Sequence, residues 1–298
     1  MTLQKKATVV ATATGASLAI VKFAIGLMSG SVALLASAID SLLDMLISLF
    51  NFFAIKKSEE NPNDEFQYGK GKIQAIAGVI EGSVITTSGL YIIYQAIDKV
   101  IHKSTTTLLT PSILVMIFSI IVTFALVQYL NFVAKKTNSL VIKSDALHYK
   151  TDLWSNGVIL IALVLVYFTK LDIIDALFGC AIGIYIIYSA YEIIKEGVLI
   201  LLDRALDEEI IEKIHKIIGS SNEVTSYHWL KTRTDGTIYF VEFHLVLTPN
   251  MTLLEAHRIA DKLEAKMMAI DENKTWLITP HFDPYDDEDI NNLLLYKD

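Results

Sequence analysis

The sequence predicts a membrane bundle of six helices followed by a small cytoplasmic α/β domain, and three observations support this. Of the 298 residues, 53% are apolar and only 19% are charged, which gives a mean hydropathy of +0.46. Six stretches are long and apolar enough to cross a hydrocarbon core of about 30 Å. Residues 203–298 carry a net charge of −9, whereas residues 1–202 carry +1. We therefore expect two domains that divide between residues 202 and 203.

Each predicted span contains about 20 or more mostly apolar residues. The spans cover residues 8–29, 31–55, 73–97, 111–134, 145–168 and 173–195. The first apolar run is longer than the apolar core of a secretory signal peptide and continues almost directly into the second run. This length favours a helix that stays in the protein.

Lysine counts in the short loops predict the orientation of the chain in the cell (inner) membrane. Nine lysines lie at the N-terminus or in the loops 56–72 and 135–144, against three in the opposite loops. Both termini, and with them the acidic domain, are therefore expected in the cytoplasm. The single cysteine, Cys180, excludes an internal disulfide and fits a reducing compartment. The acidic domain argues against a nucleic-acid partner, which requires a basic surface.

Ionisable side chains inside the spans are informative because each costs at least about 2.5–3.5 kcal/mol at the bilayer centre. Asp40 and Asp44 in the second span are four residues apart, and His148 and Asp152 in the fifth span have the same spacing. This spacing places each pair on one helix face. Three carboxylates and one imidazole are a set that holds a tetrahedral divalent metal. One nitrogen among oxygens favours Zn²⁺, Fe²⁺, Co²⁺ or Cd²⁺ over Mg²⁺ or Ca²⁺.

A buried hydrogen-bonded network with one protonated carboxyl is the alternative interpretation of these four residues. Asp145, three residues before His148, is a possible neighbour of the imidazole. Glu81 in the third span is expected to face the bundle interior. Lys22 is expected to reach the membrane surface or to pair with an acid.

The residues around these pairs resemble the cation diffusion facilitator family, the proton-coupled zinc and iron efflux transporters with six spans, and in particular its bacterial members. The matching stretches are SGSVALLASAIDSLLD (29–44), GKGK (69–72), SDALHYKTDLWSNG (144–157) and LLDRALDEE (201–209). The resemblance covers nearly the whole chain.

This resemblance implies a transporter of divalent cations and not an enzyme. Zn²⁺ is the favoured substrate, with Fe²⁺, Cd²⁺ and Co²⁺ as alternatives, and no cofactor is expected. The transport site implied by the resemblance consists of Asp40, Asp44, His148 and Asp152. A homodimer would exchange metal for protons across the lipid bilayer by alternating between inward-facing and outward-facing states.

Residues 207–281 show alternating helix and strand patterns. The predicted elements are a helix at 207–220, strands at 224–233 and 237–247, a helix at 252–270 and a strand at 275–281. Their order is αββαβ, a ferredoxin-like arrangement, and the resemblance implies the same domain.

The resemblance also implies a binuclear zinc site in the cytoplasmic domain, with a structural or regulatory role in the homodimer. Its residues would be His228, His244, His257, His281 and Asp283. The four histidines lie on different predicted elements, so their spacing alone does not reveal the site. Solvated surface histidines are the alternative interpretation of each one.

Two pairs of positions outside these sites also follow from the resemblance. Lys72 and Asp203 match positions that form a charge pair near the membrane surface, with two separately solvated charges as the alternative. Phe66 and Lys70 stand where some bacterial members carry metal-binding histidines in the loop after the second span. Since neither side chain ligates a metal at neutral pH, we expect that this loop holds no such site.

Two functions from other classes remain open at the level of sequence. A membrane sensor or scaffold would bind metal and signal through the cytoplasmic domain without transport. A membrane metalloenzyme would need an open coordination position, a general base and a substrate groove, and the sequence contains no HExxH motif.

Overall fold

The computed structural model describes residues 1–29, 32–102, 110–169 and 173–289. Some side chains inside the long helices, that of Asp40 among them, lie outside the described part. The chain separates into two compact units, Met1–Val198 and Leu199–Asp298. The assignment of transport to residues 1–202 and of metal binding and dimerisation to residues 203–298 stays a prediction.

The first unit consists of long helices. They are α1 (Leu3–Ser29), α2 (Val32–Ser58), α3 (Ile73–His102), α4 (Thr110–Thr137), α5 (Leu140–Thr169) and α6 (Ile173–Leu201). At about 1.5 Å per residue, each is longer than the hydrocarbon core is thick. Among the described residues, Leu3–Ile25, Ile73–Asp98 and Ile117–Thr137 are long and apolar enough to cross a membrane. The helical membrane domain is thus confirmed, and membrane crossing by α2, α5 and α6 stays a prediction.

Helix α5 lies at the centre of this unit, because it packs against α1, α2, α3 and α4. Its inward side chains, such as Ile142 and Tyr149, belong to a buried cluster with Ala11 of α1, Ile55 of α2 and Leu130 of α4. Small residues such as alanine let membrane helices approach closely. Polar groups on the inner face of α5 are therefore enclosed by helices on several sides.

Helices α3 and α6 approach so closely that glycine is required at the contact. A Cβ atom at Gly183 would lie 2.9 Å from the Gly89 carbonyl oxygen and 2.5 Å from Ile93 Cγ1. A backbone carbonyl cannot rotate away as a flexible side chain can. This contact therefore depends on the missing side chain of Gly183.

The second unit is a small α/β domain, as predicted. Its elements are α7 (Glu208–Gly219), β1 (Ser226–Thr234), β2 (Ile238–Val246), α8 (Leu253–Met268) and β3 (Thr275–Asp283). The sheet has the order β1-β2-β3, with β1 antiparallel to β2 and β2 parallel to β3. The observed order αββαβ agrees with the sequence pattern.

Both helices of this unit cover the same face of the sheet. Ile214 of α7 and Ile259 and Leu263 of α8 share one buried cluster with Val241 and Phe243 of β2. Because successive strand residues point to opposite faces, His244 lies on the face that these helices do not cover.

Candidate metal centres

The helical unit brings together three of the four residues predicted to form its metal site. The Nε2 atom of His148 on α5 lies 3.0 Å from Oδ1 of Asp44 on α2 and 4.0 Å from Oδ2 of Asp152. One ligand atom from each of these three residues lies within 4.8 Å of the other two. His148 is buried, whereas Asp44 and Asp152 are partly exposed. The arrangement can contact one cation from three sides.

Helix geometry explains why these residues meet. His148 and Asp152 are separated by four positions on α5, so they lie one turn apart on the same face. Asp40 lies in α2, one turn before Asp44, and the side chain of Asp40 falls outside the described residues. The fourth predicted ligand therefore stays a prediction.

A second polar group lies beside this site. The Ser48 hydroxyl, one turn beyond Asp44 on α2, lies 3.1 Å from Asp145 Oδ1 and 3.0 Å from the Tyr149 hydroxyl. The Asn51 amide donates to Glu81 Oε2 on α3 at 3.0 Å. Glu81 is thus buried in the bundle interior, and sequence reasoning left its partner Asn51 unidentified.

Lys22 on α1 is buried instead of reaching toward a membrane surface. Its Nζ donates to the Ser41 hydroxyl on α2 at 2.8 Å. Lys22 therefore connects α1 to the residue that follows Asp40 in α2.

The loop after α2 is held by a lysine. Lys70 Nζ lies 3.0 Å from Glu60 Oε2 and 4.7 Å from the centre of the Phe66 ring. The two side chains at the positions of the family's histidines therefore contact each other. That this loop holds no metal site stays a prediction.

In the second unit, strand register aligns three of the predicted ligands. His228 of β1 pairs with His244 of β2, and His244 pairs with His281 of β3. Paired residues in neighbouring strands point to the same face, so the three imidazoles form a row. The His244 and His281 rings are 4.5 Å apart between centres, and the His228 and His244 rings are 5.0 Å apart.

A bulge in β1 directly follows the first of these histidines. Between His228 and Lys231 the strand contains one residue more than its partner β2. Trp229 there has a φ of +54°, in the left-handed region that a bulky residue rarely adopts. The extra residue ends regular pairing at His228, at the edge of the histidine row.

Asp283, at the end of β3, connects this row to the acidic segment that follows. Its Oδ2 accepts from His244 Nδ1 at 2.8 Å and lies 3.6 Å from His228 Nε2, while its Oδ1 lies 3.2 Å from His281 Nε2. Asp287 Oδ1 lies 3.2 Å from His228 Nε2. One ligand atom each of His228, His244, Asp283 and Asp287 falls within a mutual distance of 4.8 Å.

We call His228, His244, His281, Asp283 and Asp287 the histidine cluster. Its residues fit a resident metal ion. The His228 side chain is 1% exposed, and neither of its ring nitrogens forms a hydrogen bond within the described residues. Such a buried polar group calls for a partner. Two imidazoles and two carboxylates are a donor set suited to Zn²⁺.

Asp287 was not predicted as a ligand, and its neighbour Asp286 also faces the cluster. Asp286 Oδ1 lies 3.6 Å from His228 Nδ1. Hydrogen bonds from the Ser226 hydroxyl and the Glu288 amide hold the pKa of Asp286 below its ordinary value. Asp286 therefore stays ionised and adds negative charge beside the histidines.

His257 is not brought to this cluster within the protomer. It lies on the exposed side of α8, and its Nε2 atom is 3.7 Å from Asp261 Oδ2 one turn later. Helix α8 packs on the sheet face opposite to His244, so His257 cannot reach the row from within its own chain.

Asp203 lies at a turn after α6, with a φ of +56°. Its Oδ1 atom accepts from Arg233 Nη1 at 3.3 Å, a partner that the sequence did not indicate. The pair between Asp203 and Lys72 stays a prediction.

Comparison with known proteins gives the same family for both units. Residues 8–202 match the model of the cation efflux transmembrane domain, and residues 206–285 match that of the cation efflux protein cytoplasmic domain. The cation-efflux pump FieF of Klebsiella pneumoniae subsp. pneumoniae is 34% identical over 266 residues, which is 89% of this chain and 88% of the relative. FieF of Salmonella agona is 35% identical over the same length and the same shares. The chain therefore belongs to the cation diffusion facilitator family, whose members are membrane transporters for cation efflux and not enzymes.

Proposed function

We propose that this protein exports a divalent metal ion, preferentially Zn²⁺, in exchange for protons. The observation that carries the proposal is the convergence of Asp44, His148 and Asp152 inside the helical unit, with ligand atoms within 4.8 Å. Membrane interiors disfavour ionised groups that are neither paired nor coordinated. A cation held by these three residues, with Asp40 as fourth ligand, removes that cost.

The ligand chemistry selects the substrate class. Carboxylates alone suit Mg²⁺ or Ca²⁺, whereas an imidazole among them favours Zn²⁺, Fe²⁺, Co²⁺ or Cd²⁺. Four such ligands match the tetrahedral preference of Zn²⁺. We therefore place Zn²⁺ first and the other three ions as competing substrates.

Competition between metal and protons for the same atoms supports exchange. A metal binds to deprotonated carboxylates and to a neutral imidazole, so binding releases protons. Asp44 and His148 contact each other at 3.0 Å, and a proton between them occupies the atoms that the metal requires. In the inward-facing state, metal displaces protons into the cytoplasm. In the outward-facing state, protons displace the metal, and the protonated site returns.

The second unit supports a metal-dependent homodimer. Zinc at the histidine cluster would be held by His228, His244, His281, Asp283 and Asp287 and would neutralise part of the negative charge of this domain. Since His257 is exposed on α8, it can complete such a site only on a second copy of the chain. The domain would then lie in the cytoplasm together with both termini, as the lysine distribution indicates.

A histidine substitution tests this function. Purified protein in liposomes should take up Zn²⁺ with opposite movement of protons, and His148→Ala should abolish both. His215→Ala is the matched control, because His215 lies on α7 and contacts Tyr227 instead of a predicted ligand. Unchanged transport and proton movement in His148→Ala would refute the proposal. Zinc binding without flux in the wild type would favour a metal sensor.

A further inference from the structure

Two acidic side chains in the helical unit have no role in the proposed metal site. Asp145 on α5 is 0% exposed and Glu81 on α3 is 2% exposed. Both belong to helices that pack against each other and against α2. Two ionised carboxylates in such a place would repel each other and lack solvation.

The groups that hydrogen-bond to the two carboxyls are polar but neutral. Asn51 donates to Glu81 Oε2 at 3.0 Å, and Ser48 approaches Asp145 Oδ1 at 3.1 Å. The Tyr149 hydroxyl contacts Ser48 at 3.0 Å and also lies 3.3 Å from the Ala11 carbonyl oxygen. Among the salt bridges of the described residues, none joins a lysine or arginine to either carboxylate. Burial of a charge is costly unless the group is both paired and hydrogen-bonded.

Several atoms of this group remain without a hydrogen bond among the described residues. They are Oε1 of Glu81, Oδ2 of Asp145, Oδ1 of Asn51 and Oγ of Ser144. Three of the four are oxygens of a carboxyl or amide that carry no hydrogen when both acids are ionised. A proton on either carboxyl adds a further donor for these three acceptors, beside the Ser144 hydroxyl.

The position of this acidic group relates it to the metal site. On α2, Ser48 and Asn51 follow Asp44 by about one and two turns, and on α5, Asp145 precedes His148 by about one turn. The group therefore lies on the side of the metal site toward the C-terminal end of α2 and the N-terminal end of α5. The lysine-rich loops start from these ends, so they face the cytoplasm in the proposed orientation.

The metal site lies about one helical turn from this acidic group. His148 follows Asp145 by three residues on α5, and Asp44 precedes Ser48, which contacts Asp145, by four residues on α2. A divalent cation bound between Asp44 and His148 adds positive charge at this distance and favours ionisation of the neighbouring acids. Metal binding and proton loss are thereby coupled.

We infer that Glu81 and Asp145 share one proton and form a proton-binding site apart from the metal ligands. When metal binds at Asp44 and His148, this proton passes from the carboxyl pair to water on the cytoplasmic side. The inference deepens the proposed exchange of metal for protons and rests on it. It assigns one of the exchanged protons to residues that never contact the metal.

Proton counting on the purified full-length protein tests the inference. Zn²⁺ is titrated into the detergent-solubilised dimer in buffers of different ionisation enthalpy, which yields the number of protons released per metal bound. Glu81→Gln combined with Asp145→Asn preserves the shape of both side chains, but neither can then bind or release a proton. The expected result is about one proton fewer per protomer than in the wild type. Contributions of the histidine cluster cancel in this difference.

Two further variants sharpen the test. Glu81→Asp keeps a carboxyl and should restore the released proton. Glu196→Gln removes an acid that pairs with Lys143 at the surface of the unit and should release as many protons as the wild type. Equal proton release by the double variant and the wild type would overturn the inference, and so would loss of zinc binding at the transport site in the double variant. The number of protons released on zinc binding is measured without any flux. If exchange of zinc for protons fails in liposomes while the difference in released protons persists, only the proposed function is refuted.

Discussion

The Nε2 atom of His148 lies 3.0 Å from Oδ1 of Asp44 and thereby connects α5 to α2 in the interior of the helical unit. The two atoms that would bind a metal therefore contact each other in this structure. In the proposed exchange, a proton between them would replace the positive charge that the metal supplies. This relationship provides a physical reason for a site that is filled alternately by metal and by protons.

The partly exposed aspartate of this site should contribute strongly to metal affinity. Asp152→Asn keeps the size of the side chain but removes one negative charge from the three described ligands. Since loss of an outer partner already costs about 10–100-fold in metal affinity, we expect at least a 10-fold weaker binding of Zn²⁺. Calorimetric titration of the purified protein measures this change. If Asp152→Asn binds Zn²⁺ with an affinity within twofold of the wild type, Asp152 is not a ligand of the site.

Asp287 should hold metal in the second unit. Its Oδ1 atom lies 3.2 Å from His228 Nε2, so Asp287→Asn is expected to weaken zinc binding at the histidine cluster by about 10-fold or more. The number of tightly bound zinc ions per protomer, measured after dialysis, should fall. Glu288→Gln is the control, because Glu288 is exposed and only its backbone amide contacts Asp286. Equal zinc content in the two variants would contradict this role.

The contact between α3 and α6 predicts a difference between two glycine substitutions. Gly183→Ala introduces a methyl group 2.9 Å from the Gly89 carbonyl oxygen, and overpacking of this kind costs about 1–3 kcal/mol. The thermal midpoint of the purified protein should therefore fall. At Gly157 of α5, no atom of another element in the described part of the chain lies within 4 Å of an added Cβ, so Gly157→Ala should not lower the midpoint. Similar thermal midpoints for both variants would show that α3 and α6 can move apart to admit the methyl group without loss of stability.

Helix α8 begins with a reciprocal cap, in which the Thr252 hydroxyl accepts from the Glu255 amide and the Glu255 carboxylate accepts from the Thr252 amide. Thr252→Ala should cost about 1 kcal/mol of local stability. Hydrogen exchange of the amides in α8 measures this loss. Unchanged protection of the first turn would contradict the role of the cap.

The same cap makes a prediction about pH. Hydrogen bonds from the Thr252 amide and hydroxyl lower the pKa of Glu255 below its ordinary value of about 4.3. The pKa of Glu255 is lower in the folded state than in the unfolded state. The stabilisation from this carboxylate is therefore complete above its ordinary pKa and disappears as the pH falls through the folded pKa. Protection of α8 should decline in this acid range in the wild type and less so in Glu255→Gln. A parallel decline in both would assign the pH dependence to other groups.

Sequence reasoning worked best where function depends on spacing within one helix. The pair of His148 and Asp152 follows from a separation of four residues, and the cost of burying charge explains why a partner helix must supply Asp44. The pairing of Glu81 with Asn51 was missed, because it depends on how α3 and α2 rotate against each other. No local pattern encodes that rotation.

In the second unit, too, the sequence predicted the elements, whereas the candidate site depends on how they pack. Strand patterns predicted β1, β2 and β3, but the row of His228, His244 and His281 depends on strand register. Asp287 follows β3 in an irregular segment without periodicity, so only its place in the acidic run Asp286–Asp289 could have drawn attention to it. His257 lies on the exposed side of α8, away from the cluster. This could not be predicted from the sequence, because it depends on how the helix packs on the sheet.

The most direct test of exchange is zinc flux into liposomes that contain a pH-sensitive dye, with wild type and Asp44→Ala compared side by side. We expect zinc entry that moves protons in the opposite direction in the wild type and neither movement in Asp44→Ala. Zinc flux without proton movement in the wild type, or equal flux in both proteins, would contradict a metal-for-proton exchanger built on the contact between Asp44 and His148.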